Sequence, residues 1–216
     1  MNRLVFLFML LSVVGSCGKA NDEKDMTDGY EFHDDFYYSD PSKMNKIYLE
    51  PNEGEYYLLF KSEFLDEVQV SLKENGFIIQ PVYPYEISFW GSLETSDILE
   101  NCMAVFIKGS GNIDRVSPII YSGQLSTNDA GETCGTTNTL AVMLDRDLAE
   151  SQYPIVLDYA KSLNIIPYDY IESSRYCFIE FACTNESRGN PVEISNWFNE
   201  VTDYFAEVLG VSTEWE

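Results

Sequence analysis

The residues able to do chemistry in this chain are few and scattered. His33 is the only histidine among 216 residues, and it sits in the acidic run Glu31-Phe32-His33-Asp34-Asp35. A Ser-His-Asp or Cys-His relay needs an imidazole held by packed surroundings, which a polar tether does not supply. The sequence has no HExxH and no GxSxG, and Gly109-Ser110-Gly111 lacks the lysine and the strand-to-helix context of a phosphate-cradling loop. Asn128-Asp129-Ala130-Gly131-Glu132 has a calcium-like composition but neither the alternating ligand spacing nor the closing glutamate of such a loop. With 36 acidic residues, glycosidase-like carboxylate pairs arise by chance. A solvated acidic surface is the better account, so the expectation is a non-enzyme with no catalytic, cofactor or metal site.

The remaining reactive group is cysteine. Cys17 stands at the junction Val14-Gly15-Ser16-Cys17, after a charged start at Arg3 and an apolar stretch from Leu4 to Val14. That layout is a secretory signal, too short to span a bilayer. The junction resembles a bacterial lipobox, which implies a signal peptide over 1–16 and lipidation at Cys17; the alternative is an ordinary cleaved signal with an incidental cysteine. Removing Cys17 from the five cysteines leaves Cys102, Cys134, Cys177 and Cys183, an even set available to pair in an oxidising compartment, with three pairings open. Cys177 and Cys183 in one extended segment would lie roughly 20 Å apart, too far to bridge.

Composition narrows the partners. A hydrophobic content of 45% and an aromatic content of 14% allow a substantial core, in one large domain or two small ones. The net charge of −23 with only 13 Lys and Arg argues against nucleic acid and against a basic patch for lipid headgroups. Membrane contact is therefore expected through the lipid anchor only. Residues 17–35 read as a flexible acidic tether. Within it Asp22, Glu23 and Asp25 resemble a surface-export tag, so the expected location is the outer membrane or cell surface, facing periplasm or exterior.

Beyond the tether a strand–helix–strand pattern occurs twice. "YYLLFK" from Tyr56 reads as a buried strand, and Phe64, Leu65, Val68 and Leu72 give a helix capped by Ser62 and stopped at Asn75-Gly76. "FIIQPVYPYE" is extended, with Pro81 and Pro84 confining it to an edge or a bend. The order returns with "TLAVMLD", then a helix patterned by Ile155, Val156, Tyr159 and Leu163 in which Pro154 is tolerable only in the first turn. Two strands follow, and then a helix whose Asn190, Pro191 and Glu193 form a capping box and whose stripe is Val192, Ile194, Trp197, Phe198 and Val201. "FAEVLGV" returns as a last strand. The fold class expected is α+β, with two tandem ferredoxin-like (βαββαβ) units built on antiparallel sheets, over 36–125 and 126–216. The first unit threads in two ways. Either "ISFWGSL" is its third strand, "TSDILENC" its second helix and "MAVFIKG" its fourth strand, or "MAVFIKG" is third and "SPIIYSG" fourth. A helix cap at Thr95 favours the former. Ser126 to Asn138 reads as a polar loop opening the second unit.

The second unit, "TNTLAVMLDRD" through "GNPVEISNWFNEVTDYFAEV", resembles the prodomain-like module of secreted subtilisin-like peptidases and of stand-alone lipoproteins from Gram-negative gut anaerobes. "FYYSDPSKMNKIYLEPNEGEYYLLF" resembles the entry segment of that family, and the resemblance covers roughly Phe36 to Val211. The family module usually runs on into a peptidase domain, whereas the sequence here stops at Glu216, and Gly210-Val211-Ser212 stands where an acidic residue and a proline are usual.

The resemblance implies that the sheet docks on a secreted subtilisin-like peptidase while the tail Val211, Ser212, Thr213, Glu214, Trp215 and Glu216 enters its cleft as a peptidase-contact segment. The rival reading is a surface-displayed binding or structural lipoprotein whose partner is another envelope protein or ligand; fold alone does not choose between them. A hydrolase with paired carboxylates would need a deep cleft holding a carboxyl of raised pKa. Two aromatic sets complete the inventory. Tyr30, Phe32, Phe36, Tyr37 and Tyr38 form either a first strand or a stacking strip, whereas Trp197 and Phe198 belong in the core.

Overall fold

The computed structural model describes residues 37–39, 46–85, 97–128, 131, 133–134 and 137–209. It is an α+β protein of antiparallel sheets with few helices. The first sheet contains β1 (Tyr37–Ser39), β2 (Lys46–Lys61), β3 (Phe77–Ile79), β4 (Tyr83–Pro84), β5 (Cys102–Gly109), β6 (Tyr121–Asn128) and β7 (Thr133–Cys134). Helix α1 (Leu65–Glu74) follows β2. The second sheet contains β8 (Thr139–Asp145), β9 (Ile166–Glu172), β10 (Tyr176–Ala182) and β11 (Phe205–Val208), with α2 (Ala149–Leu163) and α3 (Pro191–Val201) between them.

The strand order in the first sheet is β3-β5-β2-β6-β7, with β1 on β2 and β4 on β5. The pairings among the described strands follow the second threading of the first unit in part, with a fourth strand at Tyr121–Asn128 that shares only its start with "SPIIYSG". "MAVFIKG" is β5, inserted between β2 and β3 with Tyr57 opposite Phe106 and Phe77 opposite Gly109, so it holds the third position and β6 the fourth. Ala104, Val105, Phe106 and Ile107 supply apolar groups to both faces, as a strand covered on both sides requires. The expected second helix is reduced to a 3-10 turn at Asp97–Leu99, while "ISFWGSL" and Thr95 lie outside the described residues. Another 3-10 turn, Ile113–Arg115, links β5 to β6. The expected loop at Ser126 is partly strand as well, since β6 runs through Asn128 and pairs with β7. Ser62 opens a 3-10 turn ahead of α1, and neither it nor any other side chain caps that helix.

In the second sheet the order is β11-β8-β10-β9, every pair antiparallel. Numbered along the chain, the second sheet reads fourth, first, third, second, and β6-β2-β5-β3 of the seven-stranded first sheet follow the same order once β1, β4 and β7 are set aside. The capping box of α3 forms as expected: Val192 N and Glu193 N donate to Asn190 Oδ1 at 2.9 and 3.0 Å, and Asn190 N donates to Glu193 Oε2 at 2.7 Å. The stripe is narrower than the sequence suggests, because Val201 is 51% exposed. In α2 the inward residues are Val156, Ala160 and Leu163, and Ile155 is 45% exposed. Pro154 lies in the second turn, not the first. Its ring leaves the Glu150 carbonyl without an N–H donor, and both residues are exposed, so water can take that carbonyl. Asn164 closes α2 in the left-handed conformation at φ 54°.

Alternation along β2 divides the core. Leu58 and Phe60 pack with Val68 and Leu72 of α1, together with Val105 and Ile107. Tyr57 and Leu59 join Tyr121 and Leu125 in a larger core shared with Leu140, Val142, Ile179, Phe181, Trp197 and Phe198 of the second unit. The two sheets are thus joined through buried side chains and not through a solvated linker alone.

Candidate functional site

The chemistry-bearing side chains that the fold collects lie in the seam between the sheets. Tyr57 comes from β2, Tyr85 from the residue after β4, Cys102 from the start of β5, Asn138 from the entry to β8, Tyr168 from β9, and Glu180 and Cys183 from β10 and its exit. Tyr57, Cys102, Asn138, Tyr168 and Cys183 are buried, while Tyr85 and Glu180 are half-buried. Tyr85 is the hub, because Cys102 of the first unit and Cys183 and Glu180 of the second all act on its hydroxyl electrostatically.

Burial pushes the hydroxyls of Tyr57, Tyr85 and Tyr168 far up from the ordinary phenol value, and neighbouring acidic groups add to the effect. Burial likewise pushes up the thiols of Cys102 and Cys183. These five groups therefore keep their protons at neutral pH, and neither cysteine has the thiolate character of a nucleophile. The Asn138 amide donates to the Cys183 carbonyl at 3.3 Å. It also lowers the Tyr85 pKa as a polar neighbour, while Tyr85 Oη, Asn138 Oδ1 and Ser126 Oγ are each buried without a hydrogen-bond partner.

Glu180 is the acid of the seam. Burial raises its pKa, a hydrogen bond from the Tyr168 hydroxyl lowers it, and the charge of Asp169, directly opposite across the β9–β10 pair, raises it again. A carboxyl whose pKa is raised on folding binds its proton more tightly in the folded state, so stability falls as pH climbs from the ordinary glutamate value, about 4.3, through the folded one. Glu180→Gln removes that dependence while keeping an acceptor for Tyr168. The expected result is a melting temperature above wild type at pH 7 and a gap that closes at pH 4, read by thermal unfolding across that range. A gap independent of pH would show that Glu180 contributes shape and not charge.

A separate cleft of about 320 Å³ is lined by Lys61, Ser62, Glu63, Asp97, Glu100 and Asn101. The Lys61 ammonium is taken up by the carbonyls of Asp97 and Glu100. Glu180 and Asp169 are not among its walls.

The other expected site residues distribute as follows. Cys17, His33 and the tail Val211 to Glu216 lie outside the described residues, as do Tyr30, Phe32 and Phe36. Tyr37 and Tyr38 form β1 against Ile47 and Tyr48. Trp197 and Phe198 are fully buried. Gly109-Ser110-Gly111 is a crossing point of backbones, where a Cβ on Gly111 would stand 1.8 Å from the Asn75 carbonyl oxygen. Among the described side chains Cys102, Cys177 and Cys183 are buried free thiols, so none of these three pairs with another. Sequence reasoning missed the seam itself. Its one local signal is the strand "CFIEFA", apolar on both faces except for Glu180. Among the described residues no helix is long and apolar enough to cross a membrane, and no group of His, Cys, Asp and Glu is arranged to hold a metal. No protein-family model matches the chain, and neither does any curated protein or any solved structure.

Proposed function

We propose that the chain is a non-catalytic, lipid-anchored envelope protein built from two ferredoxin-like units, and that it restrains a subtilisin-like peptidase through its C-terminal tail. The first unit is then an abbreviated copy in which a 3-10 turn stands for the second helix. The observation that carries this reading is the fourth-first-third-second order of the second sheet, matched by the four strands β6-β2-β5-β3 within the first, together with the place of β11. Among the described residues β11 pairs with β8 alone, and Leu209 N still donates to the Thr139 carbonyl at 3.0 Å, so the described chain ends on a sheet edge. A segment leaving an edge strand in extended form is the geometry that strand-wise docking into a peptidase cleft uses. The protonated phenols and thiols of the seam give the second unit a rigid support and no reactive group.

The test is stoichiometric inhibition. The chain from Gly18 to Glu216 is titrated against a panel of subtilisin-like peptidases beside one ending at Gly210. Tight inhibition that vanishes on truncation is expected. Slow digestion of the tail as an ordinary substrate, or no effect on any peptidase of the panel, refutes the reading for those enzymes.

A further inference from the structure

We propose that the second sheet carries a docking strip for a cationic amphipathic helix, separate from the C-terminal tail. Cross-strand register places Ile171 opposite Phe178, Phe178 opposite Met143, and Met143 opposite Phe205. Directly opposed residues point to the same face of a sheet, so these four form an apolar row across β9, β10, β8 and β11. Ile171 is 38% exposed, Phe178 and Met143 are half-buried, and Phe205 forms the buried end at 8%. None of the four belongs to either core cluster. The first unit covers this face where Tyr168 and Ala182 enter the shared core, and the row lies beyond them.

Two residues along the strands the next row reads Asp169, Glu180, Ala141, Glu207. Asp169 is buried and accepts from Tyr170 N, so the carboxylates that border this long side of the strip are the half-buried Glu180 and the exposed Glu207. On the other side Tyr176 stands opposite Asp145 and carries the Arg175 guanidinium 5.1 Å above its ring. The charge of the strip is therefore one-sided.

These dimensions select the occupant. Strands are spaced about 4.8 Å apart, so the accessible part of the row, Ile171, Phe178 and Met143 on three of them, spans about 10 Å and ends against the buried Phe205. A helix laid along it turns every 5.4 Å or so and meets nearly one row residue per turn. The acidic row lies about 6.7 Å to one side, within reach of a lysine or arginine beside the helix's apolar stripe. Charge fixes the choice further, since a chain of net charge −23 repels an acidic helix and attracts a basic one. The partner is a helix with an apolar stripe edged by Lys or Arg on the side that meets Glu180 and Glu207.

The probe is a synthetic helical peptide of about 14 residues, with leucines on one stripe and lysines along one edge. Its control carries glutamates in place of the lysines. Both are passed over the immobilised full chain at physiological salt. The lysine peptide is expected to bind, and the glutamate peptide at least about tenfold more weakly. Glu207→Lys and Ile171→Ser, both at exposed positions, should each weaken the lysine peptide about fivefold or more, while Glu67→Lys on α1 should change it less than about twofold. Equal losses from Glu67→Lys and Glu207→Lys would mean attraction to net charge alone and would overturn the strip, as would equal binding of the two peptides or binding of neither. A chain ending at Gly210 should still bind the peptide, so the strip and the inhibitory tail stand or fall separately.

Discussion

Trp197→Ala is expected to cost about 3–5 kcal/mol, the largest loss any single side-chain truncation in the second unit should produce. The indole is fully buried at the centre of α3. Tyr159 of α2 meets it edge-on at 5.3 Å and Phe198 at 5.0 Å, and Tyr159 also touches Phe198 and Tyr204, so one truncation loosens contacts between two helices and the approach to β11. Trp197→Phe separates volume from hydrogen bonding. The indole N–H is buried without a partner, a state that itself costs about 1–3 kcal/mol. Phenylalanine removes that donor and fills most of the space, so its loss should stay within about 1 kcal/mol. Chemical denaturation followed by circular dichroism measures both. Equal losses for the two variants would mean that the indole makes a hydrogen bond the folded chain depends on.

The second unit was legible because its signals are local. Asn190, Pro191 and Glu193 specify a helix start within four residues, and the runs at Thr139 and Tyr176 are strands on propensity alone. What the pattern could not weigh was which members of a stripe face inward. Ile155 and Val201 fit the helical period yet are exposed. The first unit was harder because its threading depends on pairings distant in sequence. "MAVFIKG" reads as a strand in either scheme, and only its registers with Tyr57 on one side and Phe77 on the other make it third in order. A cap at Thr95 was a local preference set against that non-local pairing.

The candidate site was nearly invisible for the same reason. Tyr57, Tyr85, Cys102, Asn138, Tyr168 and Glu180 come from segments spread over more than half the chain, so no spacing rule gathers them. Each reads singly as core aromatic, buried thiol or surface acid. The docking strip shares this property: Ile171, Phe178, Met143 and Phe205 become a row only through three antiparallel registers. Parity of the cysteines says nothing of burial: Cys102, Cys177 and Cys183 are buried free thiols, and burial holds the protons of Cys102 and Cys183.

Gly54→Ala and Gly76→Ala should differ sharply, although both glycines have positive φ, 75° and 81°. A side chain in the left-handed region costs about 1–2 kcal/mol by itself. At Gly76, which ends α1, a Cβ meets nothing within 4 Å, so that conformational cost is the whole effect. At Gly54 the same Cβ would stand 2.1 Å from the carbonyl oxygen of Gly109, inside van der Waals contact with backbone. Gly54 lies where the register of β2 against β6 shifts, between Pro51 and Tyr56, and Gly109 ends β5. The clash therefore pushes apart the two central strands at the point where β2 bends. Gly109 cannot retreat, because a Cβ on it would in turn lie 2.4 Å from the Gly76 carbonyl oxygen, which shows how closely β5 rests on the turn after α1. With no flexible side chain in this relay to absorb the strain, Gly54→Ala should lose about 3 kcal/mol or more, against about 1–2 for Gly76→Ala. Urea unfolding of the two variants side by side checks this, and similar losses would mean that the bend in β2 yields to a methyl group.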